Sequence, residues 1–299
     1  MSLAVTYAQF GGPEVLRVTA VDEPHAAAGQ VRVAVRAAGL NPYDYKVRQG
    51  VYLPHELPSR QGFEFAGVVD EIGDAVTDLS PGDEVLGFAS TGAQAEFVVV
   101  PAKNVSLKPA GLDWAVAGGI GLVGNAARGS TDSLALTSAD TVIVTAAAGG
   151  VGLLVTQFAL ATGATVIGTA SEHNHEFLRS LGAVAVAYGD GQIDRLRAAA
   201  PTGYTAMLDN SGADSVRVGL ELGIDPSRIN SLVDYDTPGI TNVGGGRKNR
   251  AELDELARAA AAGEIVFPIL ATYPLAEVAD AYRRLEQRSG LGKVVLTLP

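Results

Sequence analysis

TVIVTAAAGGVGLLVTQFALATGATVIGTAS, residues 141–171, reads as strand, glycine turn, helix and strand. Thr141 to Thr145 is an uncharged run rich in β-branched residues, as in a strand buried on both faces. Ala147, Gly149 and Gly152 fill the small positions of the dinucleotide fingerprint G-x-G-x-x-G, with alanine at the first. Small residues there let the backbone turn tightly, approach a pyrophosphate and pack helix on strand. Gly150 and Val151 open the helix, whose free N–H groups and positive dipole end suit phosphate oxygens. Val151 to Ala161 is its apolar body, Gly163 its stop, and Thr165 to Thr169 the second strand. The bland alternative is a structural glycine turn that holds no nucleotide.

The end of that second strand discriminates between dinucleotides. A unit that binds NAD carries Asp or Glu about 20 residues past the glycines, on the ribose 2′-hydroxyl. This chain has Ser171, with His173 and Asn174 close behind as further donors, a set that favours NADP(H). Glu172, next to Ser171, counts against it.

Outward from this unit, the 299 residues make about two domains, and 47% hydrophobic with 18% charged residues is the balance of a globular chain. The net charge of −11 opposes nucleic acid or an anionic membrane as partner. The absence of cysteine removes disulfides, thiolate zinc sites and cysteine nucleophiles together. The N-terminal MSLAVTYAQFGG lacks the basic and apolar regions of a signal peptide, and no long apolar run reads as a membrane helix, so a cytoplasmic location is the expectation.

Residues 3 to about 110 read as mostly β. Val31, Val33 and Val35 alternate with Arg32, Ala34 and Arg36, and short apolar runs follow at Phe63–Ile72, Glu84–Phe88 and Ala95–Val100. Residues 112–130 read as helix. Beyond Ser171, strands are predicted over Val184–Tyr188, Thr205–Asp209 and Arg228–Asp234. Asn249 with Glu252 forms a helix start ahead of Leu253, Leu256, Ala257 and Ala260.

The motifs LNPYDYKVRQGVY (40–52), QGFEFAGVVDEIG (61–73), PGDEVLGF (81–88), AEFVVVP (95–101) and AAAGGVG (146–152) resemble the medium-chain dehydrogenase/reductase superfamily. In particular they resemble its zinc-free quinone oxidoreductase (zeta-crystallin-like) branch. The likeness extends to TYPLAEVADAYRRLEQRSGLGKVVL at 272–296. It implies an α/β architecture in which a doubly wound Rossmann sheet is inserted into a GroES-like, mostly β catalytic domain. On that expectation residues 1–120 and 265–299 form the catalytic domain and 121–264 the NADP-binding domain.

The resemblance also implies site residues. The metal-ligand positions of the zinc enzymes match Asn41 and Phe63, so no metal is expected. Asn41, Asp44 and Tyr52 are the candidate catalytic residues, in a family cleft that faces the nicotinamide. Asn41 would donate an amide N–H to a carbonyl oxygen and Tyr52 a hydrogen bond or proton, with Asp44 as a brace; the alternative is that Asn41-Pro42 is a turn and Asp44 its cap. A family threonine near the cofactor is missing, and Asn125 is its candidate substitute; a family lysine at the 2′-phosphate aligns with Asn174. The implied activity is NADPH-dependent reduction of a quinone or α,β-unsaturated carbonyl, in a homodimer. The rivals are an alcohol dehydrogenase-like enzyme and a nucleotide-holding redox sensor or structural protein with little turnover.

Overall fold

The structure is a computed structural model that describes residues 1–52, 55–245, 248–288 and 290–299. It contains two compact units. One comprises Met1–Leu122, Lys248–Ser289 and Lys293–Pro299, the other Val123–Arg247 and Gly290–Gly292.

The first unit is GroES-like and built on two sheets. β1 (Ser2–Tyr7) lies between β2 (Arg17–Val21) and the short β4 (Ser59–Arg60), antiparallel to both. The larger sheet centres on β3 (Gln30–Gly39) and β5 (Glu64–Ile72). From β5 it continues to β6 (Glu84–Phe88) and β8 (Val105–Leu107), with β7 (Phe97–Pro101) paired to β3. On the other side β3 meets the late strand β15 (Lys293–Thr297), which carries β14 (Ile269–Pro274). The alternation at Val31, Val33 and Val35 holds: all three are buried beside Phe65, Val85 and Val98, and Arg32 pairs outward with Asp70 at 2.8 Å. Two helices finish this unit's core, α1 (Pro42–Arg48) and α8 (Val278–Glu286), with Tyr45, Ala281 and Tyr282 packed on Tyr7 and Leu296.

The second unit is a five-stranded parallel sheet in the order β11-β10-β9-β12-β13, the Rossmann-like arrangement. Its strands are β9 (Thr141–Val144), β10 (Thr165–Ala170), β11 (Val184–Ala187), β12 (Ala206–Asp209) and β13 (Ile229–Ser231). Around it run α3 (Gly150–Ala161), α4 (His175–Ser180), α5 (Gln192–Ala199) and α6 (Ala213–Glu221). Ile143, Ile167, Met207 and Ile229 from four neighbouring strands form one apolar layer. β13 is shorter than the strand predicted over Arg228–Asp234. A 3-10 turn at Pro226–Arg228 precedes it, and the Ser231 hydroxyl accepts the Asp234 N–H at 2.9 Å, folding the chain back.

The division between units falls inside α2 (Trp114–Asp132), after Leu122. α7 (Arg250–Ala261) groups with the GroES-like unit, whereas the sequence reading put residues up to 264 with the nucleotide domain. The physical reason is local. Arg250 pairs with Asp78 at 2.8 Å, and Leu253 packs beside Gly121, 3.2 Å from where a Cβ would stand. Asn249 caps α7 as read, accepting the Ala251 and Glu252 N–H groups at 3.0 and 3.4 Å. Among the described residues no helix is long and apolar enough to cross a membrane.

The GroES-like unit buries an ion pair. Glu64 is 1% and Lys293 3% exposed, and Nζ lies 2.8 Å from Oε1. Gly39 makes room for it, since a Cβ there would stand 2.4 Å from the Glu64 carboxylate. Removing one partner of a buried pair strands the other charge. Lys293→Met is therefore expected to lower unfolding free energy by about 3–5 kcal/mol in urea titrations; a loss below about 1 kcal/mol would contradict this account of the pair.

Candidate functional site

Each unit carries its own candidate groups. In the Rossmann-like unit, Thr145 follows β9 and the chain turns through Ala146, which takes a left-handed φ of +48°. A Cβ on Gly152 would stand 2.2 Å from the Ala146 carbonyl oxygen, so only glycine lets α3 sit this close to the turn. At Gly149 the same construction meets only that oxygen, at 3.3 Å, which leaves the outer side of the turn open for a ligand. Leu153 donates to Gly149, so the N–H groups of Gly150, Val151 and Gly152 precede the first intrahelical bond. Ala147, fully buried, is tied to β10 through Thr169 at 3.0 Å.

The carboxyl edge of this sheet is clamped by a residue that sequence reasoning passed over. Asp209 ends β12 fully buried, and each of its oxygens accepts two bonds. Oδ1 takes the Thr145 hydroxyl at 2.7 Å and the Ser211 N–H at 3.1 Å. Oδ2 takes the Ser231 hydroxyl at 2.6 Å and the Gly212 N–H at 3.0 Å. Burial raises its carboxyl above the usual range, and these four donors oppose that rise. One carboxylate thus joins the ends of β9, β12 and β13, the edge where ligands of parallel α/β sheets bind. Beside it the Asn210 Nδ2 donates to the Thr145 carbonyl at 3.0 Å, while its buried Oδ1 has no partner among the described residues. A parallel backbone bridge joins Gly149 to Gly292, with the Gly292 N–H on the Ala148 carbonyl at 3.0 Å, and it takes up the Gly150 N–H. The turn, the Val151 and Gly152 N–H groups and this orphan acceptor fit a dinucleotide with a carboxamide to donate. The signal for Asp209 in the sequence is a carboxylate closing an apolar run, AMLD.

Of the other cofactor candidates, Ser171 follows β10 and its hydroxyl lies 2.9 Å from that of Tyr188, just past β11. Parallel pairing of Ala170 with Ala187 sets the two side by side. Tyr188 went unnoticed because the pair forms only when two strands align. His173 is exposed, whereas Asn174 is 6% exposed with no side-chain hydrogen bond among the described residues. Asn125 is fully buried on α2.

In the GroES-like unit, Asn41 is the N-cap of α1 and 3% exposed. Its Nδ2 donates to Glu64 at 2.8 Å and its Oδ1 accepts from Lys293 at 2.6 Å, which fixes the amide's orientation and leaves one amide proton to offer. The other Glu64 oxygen accepts the Leu122 N–H at 2.8 Å. Asp44, fully buried, accepts the Asn41 backbone N–H at 2.8 Å and the Tyr282 hydroxyl at 2.9 Å, so it braces the helix start. Gln61 and Gln94 donate to the same Tyr282 oxygen at 3.0 and 2.8 Å. Tyr52 stacks on Tyr43 at 5.2 Å between centroids, and Tyr43 meets Phe63 edge-on at 4.9 Å. Nothing in the local sequence announces Glu64 or Lys293 except a charge within each apolar run, GFEFAG and GKVVL.

With both sites described, comparison with known proteins gives their class. The model of the alcohol dehydrogenase GroES-like domain matches residues 27–110, and that of the zinc-binding dehydrogenases matches residues 165–296. The chain is an oxidoreductase and belongs to the medium-chain dehydrogenase/reductase superfamily. The NADPH-dependent alkenal/one oxidoreductase of Arabidopsis thaliana chloroplasts is 33% identical, over 98% of this chain and 78% of that protein. The quinone oxidoreductase of Coxiella burnetii superposes with a TM-score of 0.90 at 30% identity, over 100% of this chain and 99% of that one. A structure described as an NAD-dependent alcohol dehydrogenase superposes at 0.89 with 29% identity, over 99% and 100%.

Asp44 carries a pH dependence. Burial pushes its carboxyl up to about 7, against the Asn41 N–H, the Lys293 charge and the Tyr282 hydroxyl. An unfolded Asp titrates near ~3.9, so between about pH 4 and 7 the folded chain holds a proton that the unfolded chain has lost. This contribution is full below that window, shrinks as pH rises through it and is gone above it. Asp44→Asn should therefore gain stability relative to the native chain on going from pH 4 to 8, by a few kcal/mol at most. Denaturation midpoints that stay parallel across this range would contradict the assignment.

Proposed function

We propose that this chain is an NADPH-dependent reductase that delivers hydride to a quinone or an α,β-unsaturated carbonyl without a metal. The observation that carries the proposal is the fingerprint turn followed by Ser171 and Tyr188, two hydroxyls where an NAD site carries a carboxylate. The names of the Arabidopsis and Coxiella relatives support the cofactor and the acceptor class. The absence of cysteine, with Asn41 and Phe63 at the positions matched to metal ligands, supports the zinc-free reading.

When bound, the nicotinamide supplies the hydride. The protein's part is binding and orientation. The N–H groups of Val151 and Gly152 hold the pyrophosphate at the turn, and Ser171 and Tyr188 donate to the 2′-phosphate. Asn41, held by Glu64 and Lys293, offers its remaining amide proton to the carbonyl oxygen as negative charge develops there. Tyr52, placed on the Tyr43 ring, is the hydroxyl that offers a hydrogen bond or proton to the acceptor.

Likeness to the NAD-dependent alcohol dehydrogenase favours a second reading, alcohol oxidation with NAD+. One assay separates the two. In the presence of EDTA, NADPH oxidation with a naphthoquinone and a medium-chain enal is compared with alcohol oxidation using NAD+. The proposal expects turnover in the first two and a preference for NADPH over NADH. Ser171→Asp should shift the kcat/KM ratio toward NADH by about tenfold or more, the scale of a charge-assisted hydrogen bond. Faster alcohol oxidation with NAD+, or a cofactor ratio unmoved by the aspartate, would reverse the assignment.

A further inference from the structure

Arg195 lies in α5 and its guanidinium reaches back to the loop that leaves β11. Nε and NH2 donate to the Ala187 carbonyl at 3.0 and 2.9 Å, NH2 to that of Tyr188 at 3.3 Å, and NH1 to that of Asp190 at 2.8 Å. The loop wraps the fork through left-handed Gly189 and Gly191, with φ of +88° and +72°. Asp194 and Glu221 pair with Arg197, at 3.8 and 4.0 Å. Arg195 therefore spends its fork on main-chain carbonyls and keeps its charge beside Tyr188. Tyr188 is 58% exposed, so little side-chain packing holds its hydroxyl at 2.9 Å from Ser171. Its hydroxyl meets Ser171, and the backbone from which it projects is bonded by Arg195.

We infer that Arg195 is a specificity-determining positioning residue: by binding the carbonyls of residues 187–190 it holds the Tyr188 hydroxyl against Ser171, making the pair a preorganised contact for a 2′-phosphate. This rests on the dinucleotide reading above and adds to it the residue that sets the phosphate preference. A five-donor planar fork satisfies several carbonyls at once, and a lysine ammonium at the same place does not reproduce it. The role is thus geometric, and it separates from the charge that lysine retains.

The test uses the full chain and two fragments, 2′,5′-ADP and 5′-AMP, titrated calorimetrically. Arg195→Met, Arg195→Lys and Tyr188→Phe should each weaken 2′,5′-ADP about tenfold, the low end for a charge-assisted hydrogen bond, and leave 5′-AMP within about twofold. The double variant Tyr188→Phe/Arg195→Met should bind 2′,5′-ADP no worse than its weaker parent, because both act through one contact. Native affinity in Arg195→Lys, or losses that multiply in the double variant, would overturn the inference. Should Arg195→Met not fold, Arg195→Lys and Tyr188→Phe decide alone. A native chain that binds 5′-AMP but is indifferent to these substitutions defeats this inference only; a native chain that binds neither fragment defeats the dinucleotide reading itself.

Discussion

The Gly152 α-carbon packs so closely under the Ala146 carbonyl that a Cβ would come within 2.2 Å of its oxygen. That contact seats α3 directly on the end of β9. Its counterpart is Gly168 in β10, where a Cβ would stand 2.8 Å from that of Ala147. Together they bring the helix start to the carboxyl edge of the sheet, where the Asp209 carboxylate joins the strand ends. Positive dipole end, the first helical N–H groups and strand termini then share one edge, the requirement for holding a pyrophosphate.

The GroES-like unit depends on a different constraint. Glu64 and Lys293 are removed from water, and burial of this kind is tolerated only when each charge is paired and its remaining donors and acceptors are satisfied. Asn41 completes that arrangement by bonding both, and Asp44 holds its backbone. The rigid orientation of the Asn41 amide follows from the ion pair: Lys293 can only donate to it and Glu64, ionised, can only accept from it. Structural and proposed chemical roles therefore coincide at this residue.

The Rossmann-like unit was legible because its signals are local: β-branched runs, a glycine turn and a helix body within 31 residues of chain. Strand ends were less so. The expected strand from Arg228 stops at Ser231, because the serine hydroxyl turns back to Asp209 and Asp234, which β-propensity does not register. Asn41 read as a turn or substrate contact, since the lysine that bonds it is 252 positions away. Ser171 was found from its place after β10, but Tyr188 and Arg195 emerge only when β11 lies beside it. Local turn chemistry is written in sequence; pairings across strands and buried charges need the fold.

The central claim is that the turn at 146–152 holds a dinucleotide rather than serving packing alone. Gly149 separates the two roles, because its φ of −78° is open to any residue and a Cβ there meets only the Ala146 oxygen, at 3.3 Å. Titration of NADPH into the native chain and Gly149→Val, with melting temperatures for both, is the direct measurement. The account predicts that the variant melts within a few degrees of the native chain and binds NADPH at least about a hundredfold more weakly, as a branched side chain occupies the pyrophosphate approach. Native affinity in a folded Gly149→Val chain would contradict it.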